Sequence, residues 1–261
     1  MSDNFFAQLQ ALSTLNDDAT VVKARKQLNQ IVDFFKSRDS YLEEVTWFAE
    51  LVRHLNVDTL LKCDSFMVQD DFLSTLIPEE LRHDSLGFCR DNDIVFQGRY
   101  VYPVKDVKGD VMGFCGYDKY SDVKYLDSKN FGYNAKSYTL WGMEELPKYY
   151  KSNEPVYFVE GIVCALYLRQ CGLQSLATLG SNFSPYVLEI VKRFGMRAVV
   201  VNDSDEAGTR CRRILQKKLP YLRCVQSCLA KDVDDSRMVN EDFVEELRKL
   251  ENPFYTSSMF K

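Results

Sequence analysis

Apolar residues recur at helical spacing early in the chain. Leu28, Ile31, Val32, Phe34 and Phe35 form one such set, and Val45, Phe48, Leu51, Val52 and Leu55 a second. This predicts a helical region over 1–85. The period then changes. Residues 93–96 and 100–104 are β-rich, 106–110 (Asp-Val-Lys-Gly-Asp) read as a turn, and 111–116 as a further strand. Glycines at 109, 113 and 116 suggest a curved sheet or close approach of backbone to a ligand.

From about residue 154 apolar strands alternate with helices. Strands are expected at 156–159, 175–179, 197–202 and 223–229. Helices are expected at 162–171 (closed by Gly172), from Ser184-Pro185 to about Phe194, and from Gly208 to about Leu219. Such alternation predicts a parallel sheet covered on both faces. An acidic amphipathic helix and a polar-aromatic tail, 254–261, end the chain. Ten of the 12 glycines lie between 87 and 180, and none precedes Gly87. The expected division is a helical N-terminal region over 1–85, a small curved β-rich subdomain over 86–152, a parallel-sheet α/β domain over 153–236, and a C-terminal helix and tail over 237–261. Overall this is an α/β chain with α+β character.

Carboxylates gather where the predicted strands end. The first strand runs into Glu160-Gly161 and the third into Asp203-Ser204-Asp205-Glu206-Ala207-Gly208. Lys231-Asp232-Val233-Asp234-Asp235 follows the fourth. Open parallel sheets carry functional groups at the carboxyl ends of their strands, so these acids share one rim. In an extended segment Asp232 and Asp234 would point the same way. Clustered carboxylates repel and raise one another's pKa unless a cation neutralises them. Oxygen ligands without His or Cys select magnesium or manganese, which suits phosphoryl chemistry. A single Asp at such a place is also the ordinary N-cap of a following helix, and Asp205 fits that role too.

Composition narrows the field. No window is long and apolar enough for a membrane helix, and the start lacks a signal-peptide pattern, so a cytoplasmic protein without a membrane partner is expected. Eight cysteines show no C-x2-C pair, so no zinc is expected. The net charge of −5 at first opposes nucleic-acid binding. Yet residues 190–223 carry 9 basic and 3 acidic side chains. Among the basic ones, Arg210, Arg212, Arg213, Lys217 and Lys218 lie on or near one helix, which is either a nucleic-acid contact or a solvated face.

The order Glu160-Gly161, then Asp203-x-Asp205-x-Ala207-Gly208, resembles a TOPRIM domain, shared by bacterial-type primases, topoisomerases and some nucleases. Gly98-Arg99-Tyr100-Val101-Tyr102-Pro103-Val104, followed by Asp106, Gly109, Gly113-Phe114 and Gly116, resembles the segment before TOPRIM in DnaG-type primases. Lys124-Tyr125-Leu126-Asp127-Ser128 resembles a further segment of that core. So do Lys136 with Leu140-Trp141-Gly142-Met143, and Ala177-Thr178-Leu179-Gly180. The resemblance covers roughly 85–236.

The resemblance implies a DNA primase that makes short RNA primers on single-stranded DNA from ribonucleoside triphosphates. Glu160, Asp203 and Asp205 would be catalytic. With Asp232 and Asp234 they would also hold Mg2+ or Mn2+. Arg99, Lys124 and Lys136 would contact nucleotide or template phosphates. The chain departs from the family at Cys164, where an acid is common, at Ser204 in place of glycine, and at Tyr117 in place of a basic residue. With no zinc module and no G-x4-G-K-[ST] loop, a compact phage or plasmid core is expected, acting in the host cytoplasm. A replicative helicase and a zinc-domain protein would act in trans. The alternatives are a TOPRIM nuclease, or a degenerate primase serving as a non-enzymatic replication factor.

Overall fold

The computed structural model describes residues 19–130, 133–134, 140–180, 183–226, 230–239 and 242–249. Lys136 and the tail 254–261 lie outside the described residues. The chain divides once, between Pro147 and Lys148.

In the first unit, α1 (Ala19–Lys36) turns Ala24, Leu28, Ile31, Val32 and Phe35 inward, the helical period in the sequence. After it come α2 (Tyr41–Trp47), continued by a π-helical turn Phe48–Arg53, and α3 (Val57–Leu61). The expected helical region also holds a strand, β1 (Phe66–Val68), and three short 3-10 turns. A hairpin follows, β2 (Cys89–Arg90) and β3 (Asp93–Ile94), turned by Asp91 and Asn92 at φ 53° and 68°.

Next are β4 (Arg99–Lys105), β5 (Val111–Tyr117), β6 (Tyr125–Asp127) and the pair β7 (Lys129–Asn130) and β8 (Tyr133–Asn134). The main sheet is antiparallel in the order β1-β4-β5-β6. β1 pairs only with residues 99–101 of β4, so Pro103 lies past its end, where no strand needs the missing amide. One core joins α1, β1, β4 and β5, with Phe35 stacked on Phe66 at 4.5 Å. The stretches expected as separate over 1–85 and 86–152 thus share their apolar interior.

α4 (Leu146–Lys151) crosses the division. The second unit is built from β9 (Val156–Val159), α5 (Ile162–Gln170), β10 (Gln174–Ala177), α6 (Pro185–Phe194), β11 (Ala198–Asn202), α7 (Glu206–Lys218), β12 (Arg223–Gln226), α8 (Val233–Val239) and α9 (Phe243–Lys249). Its sheet is wholly parallel, in the order β10-β9-β11-β12. With this strand order, the right-handed crossovers usual for parallel strands put α5 on one face and α6 and α7 on the other. Val156–Val159 and Ala198–Asn202 are buried throughout, as a sheet covered on both faces requires. No helix among the described residues is long and apolar enough to cross a membrane.

Candidate active site

β9 and β11 are neighbours in the second unit's sheet, so the chain leaves both at one rim. The Val159 and Glu160 carbonyls accept the Thr178 and Leu179 amides at 2.8 and 3.0 Å, which fixes the β9 exit. At the β11 exit Asp203 lies against α7: a Cβ on Gly208 would come within 2.1 Å of the Asp203 carbonyl oxygen. Asp205 caps α7, its Oδ1 accepting the Gly208 amide at 2.8 Å. Ser204 ties this loop to the one before α8. Its amide donates to the Lys231 carbonyl at 2.6 Å and its hydroxyl to the Ala230 carbonyl at 2.8 Å.

Asp232 and Asp234 do not share an extended segment, contrary to the sequence expectation. Asp232 Oδ1 accepts the Asp235 amide at 2.9 Å, and Asp234 lies in the first turn of α8. The capping bond bends the chain into a helix one residue after Asp232.

Burial, and then the carboxylates of Glu160, Asp232 and Asp205, push Asp203 up to about 7, against the opposing charge of Lys231. Three of the expected acids therefore act electrostatically on the fourth. Asp234 borders Cys164 instead, its backbone amide donating to the thiol. Burial foremost, with Asp232, Asp234 and Asp203 adding to it, pushes that thiol well above its usual range. Among the described residues no three His, Cys, Asp or Glu side chains form a group that could hold a metal ion. The donor set is all oxygen, the chemistry hard divalent cations take, and its side chains stand apart.

In the first unit Arg99 is only 9% exposed. Its guanidinium donates to the Val123 carbonyl at 2.9 Å and to Ser121 Oγ at 3.0 Å, so it holds the loop before β6. Lys124 is exposed. Gly116 makes room for side chains of its own unit, since a Cβ there would meet Phe96 at 2.5 Å and Arg99 at 3.0 Å. Two residues of the site have roles that the structure adds: Gly208, packed on the Asp203 backbone, and Lys231, whose charge opposes the rise at Asp203. A glycine in the first turn of a helix was the available signal for the former.

The chain is 29% identical over 228 residues to the DNA primase of Borreliella burgdorferi, covering 85% of this chain and 38% of that one. It is 28% identical over 193 residues to the DNA primase of Aquifex aeolicus, covering 70% and 38%. It thus spans about two fifths of the length of these relatives. Among solved structures, the DnaG catalytic core superposes with TM-score 0.69 at 21% identity, covering 87% of this chain and 79% of that one. The Aquifex aeolicus primase with its zinc-binding and RNA polymerase domains gives 0.71 at 22%, covering 90% and 62%. The DnaG primase catalytic domain bound to ssDNA gives 0.68 at 21%, covering 87% and 82%. No protein-family model matches. The relatives are DNA primases, and the solved structures share their fold with this chain.

Proposed function

We propose that the chain is the catalytic part of a DNA primase, joining ribonucleotides into short RNA primers on single-stranded DNA during replication. The similarity to DNA primases over 85% and 70% of the chain carries this reading, and Asp203, pushed up by burial and by Glu160, Asp232 and Asp205, agrees with it. Burial and like charges favour a proton on this carboxyl, and that proton would be displaced, and the cluster neutralised, when a divalent cation binds. Glu160, Asp203 and Asp205, with Asp232 and Asp234, would hold magnesium or manganese. Bound there, such an ion supplies charge neutralisation at the triphosphate and lowers the pKa of a primer 3′-hydroxyl. The residues themselves orient the site. Asp205 fixes the start of α7, Ser204 joins the two acidic loops, and Glu160 would bind the ion or accept a proton.

Lys124 and Lys136 are assigned to phosphates of nucleotide or template, and Arg99 to shaping that surface. A replicative helicase and a zinc-domain protein acting in trans, and work in the cytoplasm, complete the proposal. The experiment is primer synthesis from labelled ribonucleotides on single-stranded DNA with magnesium or manganese. Products longer than one nucleotide are expected, and Asp203→Asn and Asp205→Asn are expected to abolish them in folded protein. Metal-dependent cleavage of labelled DNA without nucleotides would point to a nuclease instead.

A further inference from the structure

α6 and α7 share a face of the parallel sheet, and a groove of about 350 Å³ opens between them. Phe183, Leu188, Ile214 and Leu215 give it an apolar floor, and Arg210 and Lys218 line it as well. Ile214 is 47% exposed although it is aliphatic. The two helices treat charge differently. On α6, Glu189 pairs with Lys192 at 3.9 Å and Arg193 at 2.8 Å. On α7, Arg210, Arg213, Lys217 and Lys218 make no ion pair among the described residues. A chain of net charge −5 thus keeps a local cationic strip beside an apolar slot.

We infer that this groove docks an acidic peptide segment of a partner protein, with one large apolar side chain in the slot and carboxylates against the flanking cations. Two features favour a peptide over a nucleic-acid strand. Nucleic acid is held by a cationic track with stacking platforms and base-edge donors. Here the floor is mainly aliphatic, with Leu188, Ile214 and Leu215 offering no polar atom, and its volume suits one anchoring side chain. Unpaired cations around it supply charge complementarity and speed encounter with an acidic segment.

The test uses the full chain, without metal or nucleotides, so its outcome is independent of primer synthesis. The probes are a fluorescein-labelled polyaspartate nonapeptide with one central phenylalanine, its alanine counterpart, and labelled oligodeoxythymidylate, followed by anisotropy. The phenylalanine peptide is expected to bind about tenfold more tightly than the alanine one. Ile214→Glu is expected to remove that preference, and Arg210→Glu with Lys218→Glu to weaken both peptides by about tenfold or more. Circular dichroism melts establish that each variant is folded, and Ile214→Ala is the milder substitute if Ile214→Glu is not. Equal binding of the two peptides would overturn the inference. So would a preference untouched by the Ile214 substitutions, or oligodeoxythymidylate displacing the phenylalanine peptide with loss of its own binding in the Arg210→Glu and Lys218→Glu variant.

Discussion

Asp203 and Gly208 are in contact that leaves no room for a side chain. A Cβ at 208 would stand 2.1 Å from the Asp203 carbonyl oxygen and 3.0 Å from its amide nitrogen. Both obstacles are backbone, so neither can rotate away. Gly208→Ala must therefore shift the start of α7 or the Asp203 loop, at a cost of about 1–3 kcal/mol in stability. Because the displaced residue is a proposed metal ligand, primer synthesis and manganese affinity should fall by about tenfold or more. Urea melts and calorimetric titration with manganese measure the two effects. Unchanged values in both would mean that the loop is not held by this contact.

Asp203 also sets an expectation for pH. Its carboxyl sits at about 7, first through burial and then through Glu160, Asp232 and Asp205. An unfolded aspartate titrates near about 3.9. Between these values the folded chain binds a proton that the unfolded chain does not, so stability falls as pH rises through the window. Metal-free protein should melt lower at about pH 8 than at about pH 5 through this group. Asp203→Asn should flatten the decline, and magnesium should restore the melting temperature at the higher pH in the parent but not in the variant. A flat profile in the parent would remove the claim.

Legibility in the sequence followed the range of the interactions. The start and stop of α6 are local: Ser184 Oγ accepts the Val187 amide at 3.2 Å, Pro185 takes the first turn, and Gly195 ends it. All three signals were readable in adjacent letters. β1 was not, because three residues give no period and its identity comes from pairing with Val101, Tyr100 and Arg99. The segment of Asp232 and Asp234 follows a strand and so suggests an extended pair, yet one capping bond within the same five residues makes it helical. That Glu160, Asp205 and Asp232 act electrostatically on Asp203 follows from their places at the strand ends, whereas the role of Arg99 depends on partners 22 to 25 residues away.

Arg99 offers a test between two roles. Its hydrogen bonds to the Val123 carbonyl and Ser121 Oγ imply that Arg99→Ala removes charge-assisted contacts holding the loop before β6, a loss of about 1–3 kcal/mol. Arg99→Lys retains the charge but cannot span both acceptors, so it should recover only part of that stability. A phosphate contact would behave differently. Both variants would then keep their melting temperature, and the lysine variant would keep much of its template affinity. Thermal melts alongside template binding at several salt concentrations separate these patterns.

Asp64 joins three parts of the first unit. Its two carboxylate oxygens accept from Lys36, at the end of α1, and from Lys105, at the end of β4, the latter at 2.5 Å. Burial pushes its pKa up, but the hydrogen bonds and charges of Lys105 and Lys36 outweigh that and hold it below the ordinary aspartate value. A depressed folded value contributes stability that is present above the unfolded pKa of about 3.9 and lost as pH falls through the lower folded one. The site is part-exposed, with Asp64 at 27%, so the contribution is on the order of 1 kcal/mol once screening is allowed for. Asp64→Asn should lower the urea midpoint by that amount at neutral pH and make no difference in acid below the folded pKa. Lys105→Met should do the same, and the double variant should lose less than the sum, because the two side chains share one interaction. Full additivity of the two single losses would mean that the pair does not couple α1 to the sheet.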